Sequence, residues 1–104
     1  MTPATAAELA LDEQLASRTA ELFRSLGDTS RVRIISVLAG GEINVGALAE
    51  AVGISESAIS HHMRGLRQMR LVRARKEGRQ VFYCLDDDHI LDLFERGLDH
   101  VLHG

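Results

Sequence analysis

Between residues 45 and 70 the chain sets Ala49, Gly53 and Ile59 four and six positions apart. That spacing constrains the fold more than any other feature. A small residue lets two helices approach, glycine permits a tight turn between them, and a β-branched residue plugs the junction. Asn44 can cap a first short helix, Val45 to Val52, and Ser55 a second, Glu56 to about Met69. In the second, Ile59, Met63 and Leu66 recur at helical spacing and should face a core. Its solvent side is then Glu56, Ser57, Ser60, His61 and Arg64. Two helices across a tight turn, with a polar outer face on the second, describe a helix-turn-helix over residues 45–70.

After Met69 the hydrophobic period changes. Leu71 to Lys76 and Gln80 to Leu85 are rich in Val, Phe and Tyr, and Glu77-Gly78-Arg79 fits the turn between two strands. Residues 71–85 thus form a hairpin, the wing. Upstream, Ala6 to about Leu26 has the composition of one helix ended by Gly27, and residues 1–20 make an N-terminal helical arm. Asp28-Thr29-Ser30 caps a helix from Arg31 to Leu38, with Val32, Ile35 and Leu38 inward and Gly40-Gly41 as its stop. A last helix over residues 87–103 carries a broad stripe of Ile90, Leu91, Phe94, Leu98, Val101 and Leu102. The expected fold is mainly α with a small β-hairpin, a winged helix-turn-helix in the order α-α-α-α-β-β-α.

The 104 residues amount to one domain, 1–104. A chain this short is marginal as a monomer, so a partner would help it. No apolar run approaches the roughly 20 residues that cross a bilayer, and Met1 to Leu11 lacks the pattern of a secretory signal. One cysteine, Cys84, excludes an internal disulfide framework. A cytoplasmic protein without a membrane partner is expected.

Taken whole, the net charge of −3 argues against a DNA partner, but it is a sum over regions of opposite sign. Residues 64–79 carry Arg64, Arg67, Arg70, Arg73, Arg75, Lys76 and Arg79 against Glu77 alone. Residues 80–104 carry Arg96 against Asp86, Asp87, Asp88, Asp92, Glu95 and Asp99. The basic stripe covers the end of the second helix and the wing. Ser57, Ser60 and His61 can donate and accept at base edges, and Arg64 can bind guanine or phosphate. Lys76, Arg79 and Gln80 at the wing tip suit phosphate or minor-groove contact. A solvated basic face alone would not need the turn and the hairpin beside it. His61 and His62 are adjacent, and neighbours on a helix point about 100° apart, so they make a poor metal pair.

The acidic tail has a pattern of its own: Asp87-x-His89, ten residues, then His100-x-x-His103. His100 and His103 lie one turn apart on one face, a good pair of metal ligands. From His89 to His100 is about 16 Å of helix at 1.5 Å per residue. A histidine holds its metal roughly 6 Å from its own Cα, so two reaches fall short of that gap. One chain therefore cannot close the site. Two such helices packed antiparallel would bring Asp87 and His89 of one chain to His100 and His103 of its partner, twice per dimer. Three imidazoles and a carboxylate make a tetrahedral zinc-type set with no open position. The spacing equally admits a plainer reading, in which Asp87 caps the helix and the two late histidines favour its C-terminal dipole.

The stretch from about Leu22 to His103 resembles the ArsR/SmtB family of bacterial metal-sensing repressors. The resemblance rests on LGDTSRVRIISVL, LAEAVGISESAISHHMRGLRQMRLV, RKEGRQVFYCL and DDDHILDLFERGLDHVLH, about four-fifths of the chain. It implies a homodimeric repressor whose apo form binds an inverted-repeat operator in double-stranded DNA. Metal binding would release the operator and derepress efflux or sequestration genes. It implies Asp87, His89, His100 and His103 as ligands of Zn2+, with Co2+ or Ni2+ as other candidates, and Ser57, Ser60 and His61 as recognition-helix contacts. The run Ile43-Asn44-Val45-Gly46 stands where many relatives have a Cys-Val-Cys-type motif, which disfavours a thiolate site. His62 stands where relatives often have Gln. Cys84 reads as a packed strand residue.

Added zinc makes each site more positive, which favours phosphate rather than repelling it. Release must then be conformational. The resemblance suggests a route in which His100 ligates through one ring nitrogen and hydrogen-bonds through the other to the backbone near Arg70. The alternatives are a winged-helix repressor whose metal site is structural or vestigial, a module that only borrows the winged helix for protein contacts, and a zinc enzyme. An enzyme would need an open metal position and a base, and the chain has no H-E-x-x-H or comparable motif, so no enzymatic activity is expected.

Overall fold

Side-chain caps set the helix boundaries. The computed structural model describes residues 2–104. The elements in chain order are α1 (Ala6–Leu9), α2 (Glu13–Leu26), α3 (Thr29–Leu38), β1 (Ile43–Asn44), α4 (Val45–Val52), α5 (Glu56–Gln68), β2 (Val72–Glu77), β3 (Gln80–Leu85) and α6 (Asp88–His103). The Asn44 carboxamide accepts from the Ala47 N–H at 2.7 Å, and the Ser55 hydroxyl from Ala58 at 3.0 Å. Gly53 ends α4 at φ 79°, a left-handed conformation in which its N–H donates to the Ala49 carbonyl. Arg70 also turns left-handed, at φ 57°, where α5 gives way to β2.

The core lies between α3, α4, α5 and one face of the sheet. Ile34, Ile35, Leu48, Ile59, Met63, Leu66 and Leu71 are its fully buried side chains. The helix-turn-helix and hairpin thus stand where the sequence puts them, and Ile59, Met63 and Leu66 face inward as their spacing requires.

Three expectations need correction. The segment Ala6 to Leu26 is two helices, not one. Ala10 is extended at ψ 127°, and the Asp12 carboxylate starts a new helix by accepting from the Leu15 N–H at 2.9 Å. Residues 1–20 are therefore a broken arm. Val32 does not enter the core: it is 43% exposed, and Ile34 takes the buried position instead. The wing is part of a three-stranded antiparallel sheet in the order β1-β3-β2, with Ile43 opposite Tyr83 and Val72 opposite Leu85. The element order becomes α-α-α-β-α-α-β-β-α.

One apolar surface is left uncovered. Phe23, Val32, Phe94, Leu98 and Val101 line a groove of about 440 Å³ between α2, α3 and α6. Among the described residues no helix is long and apolar enough to cross a membrane.

Candidate nucleic-acid interface and metal ligands

Burying Ile59, Met63 and Leu66 turns the other side of α5 to solvent. Ser57, Ser60, His61 and Arg64 are all exposed there, at spacings of three and four that share a helix face. Lys76, Arg79 and Gln80 are exposed at the hairpin turn, where Gly78 takes φ 62°. Among the described residues Arg64, Lys76 and Arg79 form no ion pair. Their charge faces solvent.

Arg75 and Arg73 differ from them. The Arg75 guanidinium donates to both oxygens of Glu42, at 2.6 and 3.2 Å, and also to Glu77. Its hydrogen bonds hold the Glu42 carboxyl below the usual glutamate range, against an opposing effect of desolvation. Arg73 faces Asp86 at 3.6 Å. The basic stripe is thus part unpaired charge and part internal ion pairing among the described residues, a division that net charge does not reveal.

Two further residues escape a reading of the surface pattern. The Arg31 Nε–H donates to His62 Nδ1 at 3.3 Å, and its Nη1 to the Ser25 carbonyl at 3.3 Å. Its guanidinium lies against Gly65, where a Cβ would stand 2.7 Å from Nη2. A glycine in the middle of a helix was the available signal, because it costs about 1 kcal/mol relative to alanine and needs a reason.

In the tail, α6 is one continuous helix of 16 residues, so Asp87 and His89 stay at one end and His100 and His103 at the other. Asp87 Oδ1 accepts from the N–H groups of His89 and Ile90 at 2.9 and 3.2 Å. Oδ2 lies 3.4 Å from His89 Nδ1. The carboxylate can cap the helix with one oxygen and offer the other to a ligand. His103 Nε2 is 3.9 Å from Asp99, and His89, His100 and His103 are exposed. Among the described residues no single-chain group of three or more His, Cys, Asp or Glu side chains gathers to hold an ion. The donor chemistry fits a tetrahedral ion, and each end supplies half of it. Cys84 is half-buried on β3, opposite Arg73.

The Arg70 carbonyl accepts no backbone hydrogen bond among the described residues.

Comparisons with known proteins agree with this architecture. Residues 28–74 match the family described as bacterial regulatory protein, arsR family. The chain is 45% identical over 93 residues to the transcriptional repressor SmtB homolog of Synechocystis sp., covering 89% of this chain and 69% of that protein. It is 38% identical to the HTH-type transcriptional regulator NmtR of Mycobacterium tuberculosis, over 89% of this chain and 78% of the relative. Among solved structures, apo-NmtR in solution superimposes with a TM-score of 0.78 at 34% identity, over 100% of this chain and 87% of that one. The homodimeric winged helix-turn-helix DNA-binding domain of Mb0332 from Mycobacterium bovis gives 0.78 at 27% identity, over 92% and 94%. With a winged helix, an exposed polar face on α5 and these relatives, the chain belongs to the ArsR/SmtB family of bacterial transcriptional regulators.

Proposed function

We propose that this chain is a metal-responsive transcriptional repressor. Two copies bind an inverted-repeat operator, and zinc at two sites shared between their α6 helices releases it. The observation that carries this reading is the division of one candidate donor set between the two ends of a continuous helix. A dimer with antiparallel α6 helices would unite those ends. The apolar groove supports such a dimer, because Leu98 and Val101 are 45% and 81% exposed on the isolated chain and need a cover. The Mb0332 domain, described as homodimeric, has this fold.

In this reading α5 enters the major groove. Ser57, Ser60, His61 and Arg64 meet base edges and phosphates, while Lys76, Arg79 and Gln80 follow the backbone. Asp87 and His89 of one chain, with His100 and His103 of the other, hold the ion. Zn2+ suits three imidazoles and a carboxylate, and the same set admits Co2+ or Ni2+. Bound metal supplies a rigid cross-link between the two α6 helices. It fixes a separation of the two α5 helices that misfits successive major grooves, about 34 Å apart. His100, hydrogen-bonded to the Arg70 backbone at the end of α5, would carry that constraint to the recognition helix.

The test is operator affinity of the apo dimer with and without one zinc equivalent per chain. A duplex selected by the apo protein from a random-sequence pool serves as the operator. Zinc should weaken binding at least about fivefold, the low end of typical couplings. The coupling is reciprocal, so the DNA-bound dimer should hold zinc more weakly by the same factor. Zinc that binds tightly without changing operator affinity would make the site structural and overturn the sensor reading. His100→Ala should abolish the response. An equal response in that variant would remove the proposed route through Arg70.

A further inference from the structure

Behind the reading face of α5 lies a contact that neither the DNA nor the metal reading uses. His61 and His62 are neighbours with opposite surroundings. His61 is exposed, whereas His62 is half-buried and turned toward α3. There Arg31 meets three elements at once. Its Nε–H reaches His62 on α5 and its Nη1 reaches the Ser25 carbonyl in the last turn of α2. Its own backbone N–H is held by Asp28 at 3.0 Å, which fixes the start of α3. The guanidinium then occupies the space that a Cβ would need at Gly65, about one turn beyond His62. No larger residue at 65 would leave it this place.

We propose that Arg31 is a positioning residue for DNA reading, holding α5 to the α2–α3 corner through an acceptor that exists only while His62 is neutral. The proposal rests on the reading of α5 as the recognition helix. Arginine has no acceptor and does not deprotonate in proteins, so Arg31 is always the donor. His62 must therefore present Nδ1 as a lone pair and carry its proton on Nε2. A proton added at Nδ1 would set N–H against N–H and cation against cation at 3.3 Å. The charged groups that meet His62 are the Arg31 guanidinium and the Asp28 carboxylate from the α3 side. On its own helix the His61 ring stands 5.9 Å away, edge to face. Asp28 makes no hydrogen bond to the imidazole; its Oδ1 accepts from the Arg31 N–H at the N-terminus of α3.

The sign of the acid effect distinguishes this contact from ordinary electrostatics. Protonating an exposed histidine such as His61 adds positive charge near DNA and should strengthen binding. Protonating His62 should loosen α5 and weaken binding. The contact also reaches the groove where a second chain would sit, because Phe23 and Leu26, on either side of Ser25, line it. A shift at α2 can thus be felt at α5 through one guanidinium.

The experiment measures affinity of the metal-free full chain for the selected duplex at pH 7.5 and pH 5.5, with amide and imidazole 15N spectra of the free protein across the same interval. Wild type should lose about tenfold in affinity on acidification, the size expected when a hydrogen bond to a charged group is lost. H62Q, whose side-chain oxygen can still accept from Arg31, should bind as wild type at pH 7.5 and lose this sensitivity. R31A should bind about tenfold more weakly at both pH values with an unchanged salt slope, because Arg31 touches no phosphate in this scheme. G65A gains helix propensity and displaces the guanidinium, so it should keep or raise its Tm while DNA binding falls. An acid loss that persists in H62Q, or full-strength binding by R31A, overturns the proposal. Should no duplex be selected, the recognition reading fails. The spectra still decide the Arg31 contact: the amides around Ser25 and Arg31, away from His61, must shift with His62 protonation in wild type and stay still in H62Q.

Discussion

The Arg75 guanidinium stands 4.6 Å from the centre of the Phe82 ring and continues across β3 to Glu42, beside β1. One side chain on β2 thus spans the whole sheet, packing on the middle strand and pairing beyond it. The pair is open to solvent, so its contribution is modest and screened by salt. Its pH dependence has a definite sign. Arg75 lowers the Glu42 pKa below 4.5 in the folded chain. A depressed folded value means that the stabilisation is fully present above the unfolded value and is lost as pH falls through the folded one. Thermal unfolding of wild type and Glu42→Gln should therefore differ most near neutral pH, with wild type more stable, and converge as pH falls through the lowered folded value. A constant difference across that range would show that the charge of Glu42 does not matter. None of this pairing is legible in sequence. Glu42 and Arg75 are 33 residues apart, and their meeting depends on the strand order β1-β3-β2. By contrast, the caps Asn44, Ser55 and Asp87 are legible, because a cap acts within three residues of itself.

At the scale of elements, the turn between α4 and α5 depends on Gly53 at φ 79°, with open space where a Cβ would point. Replacement by alanine meets no clash, only the cost of a left-handed L-residue. Gly53→Ala should lose about 1–2 kcal/mol, read as a lowered denaturation midpoint, and Gly53→Asn should lose less. Ile59→Ala removes a fully buried side chain from the same junction and should cost about 2–5 kcal/mol. The wing makes a different kind of claim. If Lys76 and Arg79 meet phosphates, replacing either with alanine should lower the slope of log affinity against log salt by about one, uniformly across DNA sequences. An unchanged slope would place the wing tip away from the backbone. The helix-turn-helix and hairpin are legible because each has a local period and a local stop. The two-residue strand β1 has neither. The break before α2 had a signal, Asp12 followed by Glu13, but the Ala- and Leu-rich composition on both sides masks it. Val32 was apolar for a reason other than the core: with Phe23 and Leu98 it lines the uncovered groove.

At the scale of the molecule, the question is whether the two ends of α6 work together only across a dimer. The four proposed donors stand out in the sequence, and helix rise alone separates them into pairs about 16 Å apart. Which chain completes which pair is not written in any one chain, because it depends on packing between copies. Mixed dimers can settle it. A chain with Asp87→Ala and His89→Ala keeps only the late pair, and a chain with His100→Ala and His103→Ala keeps only the early one. Each forms homodimers with two half-sites, and neither should hold zinc tightly. In the heterodimer one site has lost all four donors and the other has kept all four. It should therefore bind one zinc ion per dimer with near wild-type affinity. Competition with a chelator gives the stoichiometry, and lowering the pH should weaken that one site, because a protonated imidazole cannot ligate. If each site instead drew its ligands from a single chain, the heterodimer would bind no better than its parents. Unmixed binding by either parent would show that two ligands and water suffice. The same heterodimer then asks whether one cross-link is enough to release DNA. If one ion fixes the spacing of both α5 helices, operator release should follow a single zinc equivalent per heterodimer.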